Sequence, residues 1–127
     1  MTTDYEQAAR IYGAQRVFTS TPVDIFLLLV ERCLTDLDRA ARAREEGDPV
    51  GGRTLARHAH EIVFALLSGL DRERGGQLAE RLAALYVFAI GRTGPGASST
   101  DLRAARSVLA PIAEAYRMLR SGAARVG

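Results

Sequence analysis

At 127 residues, with 47% hydrophobic and 25% charged side chains, the chain has the make-up of one folded domain, and wholesale disorder is excluded. Its 17 basic residues are all arginine and face 15 acidic ones, a formal charge of +2. They are scattered among carboxylates from Arg10 to Arg125, which excludes the concentrated basic face of a nucleic-acid binder.

Alanine and leucine dominate and strand formers are sparse, so an all-α chain is expected. Residues 1–20 carry Tyr5, Ile11, Tyr12, Val17 and Phe18 around Gly13, a weak pattern that reads as an N-terminal arm. Thr21-Pro22-Val23-Asp24 then opens a helix. Threonine caps, proline suits the first helical position and the acid stands where a capping box places it. This first helix should run to about Glu46 and stop at Gly47. Asp48-Pro49 repeats the start signal, and Leu55, Ala59, Ile62, Val63, Leu66 and Leu70 form the inner stripe of a second helix ending between Ser68 and Arg72.

Gly75-Gly76 reads as a tight helix corner. After it, Leu78, Leu82, Leu85, Tyr86 and Ala89 mark one side of a third helix running to about Arg92. Gly94 to Ser99 is a loop, after which Ser98 or Thr100 caps a fourth helix with Leu102, Ala105, Leu109, Ile112, Tyr116 and Leu119 inside. Pro111 lies within it, where it removes a backbone donor, so a kink or a late helix start is expected. Short connections imply antiparallel neighbours, hence an antiparallel up-down four-helix bundle over residues 21–121 and a flexible tail over 122–127.

Candidate chemistry is thin. His58 and His60 are two residues apart and therefore on different helix faces, which does not suit two ligands of one metal ion. Cys33, the single cysteine, repeats with Phe26, Leu29, Val30 and Leu37 at helical spacing and reads as a small core residue; it leaves no intramolecular disulfide to form, as suits a reducing compartment. No lysine follows Gly75-Gly76, so the pair is no phosphate loop. Neither a cofactor, a metal site nor an enzymatic activity is expected. The apolar run Ile25 to Val30 is far too short to span a bilayer and no basic-then-apolar leader opens the chain, so a cytoplasmic protein is expected.

One feature exceeds what a bundle helix needs. Ile25-Phe26-Leu27-Leu28-Leu29-Val30 covers the whole circumference of the first helix, so the arm, another chain or complete enclosure must cover the extra face. Phe64, Val87, Phe88 and Ile90 lie beside or outside the inner stripes and would extend such an apolar surface.

These residues resemble the flagellar secretion chaperone family, the FliS-type flagellin chaperones, over nearly the whole chain and in the same order. Tyr12, Val17 and Thr19-Ser20-Thr21-Pro22 are similar to that family's opening, Ile25 to Leu29 to its apolar first helix, and Gly47-Asp48 to its turn. Leu70-Asp71, Glu73, Gly75-Gly76, Ala79, Leu82 and Leu85-Tyr86 match its most distinctive stretch. The chain departs from the pattern at Val30 to Cys33, at Val87-Phe88 and at Tyr116. The resemblance implies a bundle that binds the disordered C-terminal segment of flagellin in the cytoplasm and masks it stoichiometrically. That would prevent premature polymerisation and keep the segment competent for flagellar type III secretion, with the export apparatus as a further contact. The implied contacts are Tyr12 and Phe18 on the arm, Ile25, Leu28 and Leu29 on the first helix, and Tyr86, Phe88 and Ile90 on the third. A monomer or weak dimer without nucleic-acid binding or membrane insertion is expected. The competing reading is a structural or dimerisation bundle with another protein partner.

Overall fold

The computed structural model describes residues 22–126. They form four helices, α1 (Pro22–Glu45), α2 (Pro49–Ser68), α3 (Arg72–Gly91) and α4 (Ser99–Val126), and no strand. The arm with Tyr12 and Phe18, and the capping position Thr21, lie outside the described residues.

Local chemistry sets the helix boundaries. Gly47 takes φ 78°, and the Gly47 and Asp48 amides donate back to the carbonyls of Arg44 and Ala43 at 3.3 and 2.8 Å. This is the paired closure of a helix C-terminus through a left-handed residue, which an L side chain would resist. Asp48 at once caps α2, its Oδ1 accepting from the Gly51 amide at 2.9 Å, with Pro49 in the first helical position. At α4, Ser98 Oγ accepts from the Asp101 amide at 3.1 Å. Asp101 Oδ2 accepts from the Ser98 amide at 3.0 Å, a reciprocal capping box.

Two details depart from the periodicity. α3 begins at Arg72, before the glycine pair, because Asp71 caps it by accepting from the Arg74 amide at 3.0 Å. The corner is therefore Gly69 to Asp71, and the break at the glycines falls inside the helix, where Gly76 adopts φ 52° and ψ −132°. α4 does not start late. It runs through Pro111 and on to Val126, and the proline leaves the Ser107 carbonyl without the amide donor an ordinary residue would supply.

Each helix packs against two neighbours: α1 against α2 and α4, and α3 against the same two, so the four close a ring. The α1–α4 seam shows the antiparallel register directly. Asp24, Glu31, Asp38 and Glu45 recur at seven-residue steps on α1 and pair with Arg120, Arg117, Arg106 and Arg103 of α4 at 3.2, 3.0, 2.8 and 2.6 Å. As α1 numbers rise, α4 numbers fall. Such half-exposed pairs contribute little stability individually, but a helix shifted out of this register would leave the acids of α1 and the arginines of α4 unmatched.

Leu29, Val30, Leu37, Ile62, Val63, Leu66, Tyr86, Leu102 and Leu109 fill the space between the helices. Ala40, Ala41, Ala56 and Ala59 are buried as well, and Cys33 Sγ lies 3.6 Å from the Ala59 carbonyl of α2. The apolar run on α1 is largely internal. Ile25, Phe26, Leu27, Leu29 and Val30 are buried, and Leu28 alone is open, at 42% exposure.

Candidate partner-binding groove

The surface most able to hold another chain lies between α3 and α4. Leu78, Leu82 and Leu85 of α3 face Val108, Pro111, Ile112, Ala115, Tyr116 and Leu119 of α4 across a groove of about 460 Å³. Its construction follows from the spacing on each helix. Leu78, Leu82 and Leu85 stand at i, i+4 and i+7, and Val108, Ile112, Ala115 and Leu119 at i, i+4, i+7 and i+11, so each set forms one stripe. The two stripes are too wide to be consumed by contact with each other. Leu82 and Ile112 form the buried floor, while Leu78 and Leu119 at the rim stay 63% and 61% exposed. Pro111 adds an apolar ring with no N–H to desolvate. Beneath the groove, the Tyr116 ring packs at a tilt of 38° against Phe26 of α1 with ring centroids 4.2 Å apart, tying this wall to the core.

The residues expected from the sequence divide into groups. Leu28 on α1 and Phe88 on α3 present surface, and the Phe88 ring is partly covered by the Arg92 guanidinium 4.8 Å from its centroid. Ile90 is half-buried and packs against the core. Ile25, Leu29 and Tyr86 are buried side chains that support the bundle from within. Tyr12 and Phe18 lie outside the described residues. The structure thus does not gather Leu28 and Phe88 with the α3–α4 groove residues. Helical spacing puts Leu78, Leu82, Ile112, Tyr116 and Leu119 on inner stripes; Leu82 and Ile112 are buried as that spacing implies, whereas Leu78 and Leu119 stand at the open rim.

The polar groups of the interior serve the fold. Asp36 of α1 is fully buried, with the Arg32 Nε 3.3 Å from its Oδ1, and burial pushes its carboxyl above the ordinary range against the pull of Arg32, His58 and Arg39. Burial also pushes the Cys33 thiol well up, and the charge of Asp36 adds to the effect. His60 Nδ1 lies 2.9 Å from Thr93 Oγ1. Among the described residues no three histidine, cysteine or acidic side chains stand close enough to share a metal ion. No described helix is long and apolar enough to cross a membrane.

An all-helical bundle carrying an open apolar groove defines a small binding protein of the helix-bundle type. Similarity to known proteins sharpens that class. The model of the family described as flagellar protein FliS matches residues 4–123. The flagellar secretion chaperone FliS of Salmonella typhimurium is 30% identical over 115 residues, covering 87% of this chain and 85% of its own. The chain belongs to the FliS family of flagellar secretion chaperones, which are not enzymes.

Proposed function

We propose that this chain is a cytoplasmic export chaperone that binds the disordered C-terminal segment of flagellin, masks it against premature polymerisation and holds it ready for flagellar type III secretion. The observation that carries the reading is the α3–α4 groove, where the exposed rim leucines Leu78 and Leu119 flank a buried apolar floor of Leu82 and Ile112. A segment that becomes helical when it assembles has an apolar face. Laying that face into a groove is the physical mode such a partner requires. No covalent step or nucleotide is needed. Ordering the segment costs several kcal/mol, which a long apolar contact offsets at roughly 1.5–3 kcal/mol for each large side chain fully enclosed.

Leu28, Phe88 and Ile90 extend the contact beyond the groove in this reading. Ile25, Leu29 and Tyr86 support the walls, and Tyr12 and Phe18 contribute from the arm. Calorimetric titration with the C-terminal segment of flagellin from the same genome tests the assignment. A one-to-one complex with a strongly negative heat-capacity change is expected, and Leu78→Asp or Leu119→Asp should weaken it by about tenfold or more while leaving the melting curve intact. Absence of heat at several temperatures, with no co-elution, would sink the flagellin assignment. A stable dimer indifferent to the segment would favour the dimerisation reading.

A further inference from the structure

A second cavity, of about 350 Å³, lies where the first half of α2 meets the loop after α3, and its lining differs from that of the groove. Arg53, Arg57 and His60 of α2 form one wall, and Thr93, Gly94 and Pro95 form the other. On α2 these three residues stand at i, i+4 and i+7, so they share one face. The loop wall is fixed from behind, since Arg44 Nη2 donates to the Pro95 carbonyl at 2.9 Å.

Seven arginines of the described residues have acidic partners. Arg32, Arg74, Arg92, Arg103, Arg106, Arg117 and Arg120 each pair with a carboxylate. Arg53 and Arg57 have none among the described residues, although both stand at a concave site. His60 is held in a defined orientation. The single hydroxyl hydrogen of Thr93 is directed to the carbonyls of Ala89 and Ile90 at 3.0 and 3.2 Å, so Thr93 Oγ1 accepts from His60 Nδ1. The other ring nitrogen, Nε2, is left for a ligand, and it donates when the ring is protonated.

Two guanidinium forks over a cavity of this size, with proline and aliphatic arginine stems for walls, suit a planar anion carried on an organic chain. Phe64, 57% exposed, stands one turn further along the same α2 face. An apolar side chain attached to that anion would therefore meet an apolar surface. We propose that this cavity takes a carboxylate of the bound polypeptide, either its C-terminal carboxylate or an acidic side chain, and so fixes the register of the segment along the bundle. The inference rests on the partner reading above. It adds a polar anchor between α2 and the loop after α3, apart from the apolar groove between α3 and α4.

The test is titration of the intact protein with the flagellin C-terminal segment in three forms: native, amidated at the C-terminus, and with its acidic side chains changed to amides. Loss of about tenfold or more in affinity on amidation identifies the terminal carboxylate, and the same loss in the third form identifies a side chain. Arg53→Gln with Arg57→Gln should abolish that difference and lower the salt dependence, with the melting temperature unchanged. Equal affinity for all three forms, or an unaltered affinity in the double variant, overturns the anchor while the partner reading stands. No binding of the native segment to the unaltered protein overturns both.

Discussion

Asp36 shows how one residue can sit against the interest of the fold. Its side chain is wholly enclosed, its oxygens accept no well-aligned hydrogen bond from the described residues, and the nearest cation lies at 3.3 Å on a half-exposed arginine. Removing a carboxylate from water costs more than that contact returns, hence the raised carboxyl. The sign of the pH dependence follows. A carboxyl that holds its proton more tightly when folded destabilises the fold above its folded pKa, and the cost fades as pH falls through that value towards the ordinary 3.8. Asp36→Asn should therefore raise the urea midpoint at pH 8, and the advantage should shrink towards pH 4. A loss at pH 8 larger than at pH 4 would show that the attraction of Arg32 and His58 dominates instead. Three residues away, Cys33 provides an independent measure of the same enclosed environment. Its thiol is inaccessible and disfavoured as thiolate, so an aromatic disulfide reagent should label it only as fast as the chain unfolds. Labelling in native buffer at the rate of the unfolded chain would contradict this.

The elements are bounded by a few residues whose chemistry leaves little choice, and these were the legible part of the sequence. Gly47, Asp48-Pro49 and Ser98 mark helix ends where the structure has them, because caps act within four residues and need no tertiary information. The start of α3 was not legible in the same way. Asp71 follows Leu70 directly and reads as the tail of α2, and only the placement of the Gly69 to Asp71 corner gives it the capping role. The two positive-φ glycines among the described residues then make a graded test. Gly47 lies in the left-handed helical region, which alanine enters at a cost of about 1–2 kcal/mol. Gly76, at ψ −132°, lies in a region that side chains avoid more strongly, so Gly76→Ala should cost more, towards about 3 kcal/mol. Urea unfolding with unchanged slope measures both. A smaller loss at Gly76 than at Gly47 would mean that the short first turn of α3 rearranges to accept the side chain.

Across the whole molecule, the question is which apolar stripe meets core and which meets a partner, and periodicity does not carry that information. The run at Ile25 to Val30 reads as surplus surface, yet within it only Leu28 is exposed. Leu78 and Leu119 read as internal from their spacing, yet α3 and α4 leave them on the rim of an open groove whose floor is the buried Leu82. The difference lies in the unequal seating of the helices. α1 buries Leu29, Val30, Leu37, Ala40 and Ala41, whereas α3 buries three alanines with Leu82 and Tyr86, and every residue from Asp71 to Leu78 is exposed. Local opening follows burial, so hydrogen exchange should be slowest in the middle of α1 and fastest in the first turns of α3, before and around Gly76. A partner that fills the groove removes the reason for that difference. Adding the flagellin segment should slow exchange in residues 78–85 and 108–119 while the already protected amides of α1 stay unchanged. Protection confined to α1 around Leu28 would place the segment on the other side of the bundle and sink the groove assignment. Slowing of residues 53–60 alongside the groove would show the segment reaching the arginine-lined cavity as well.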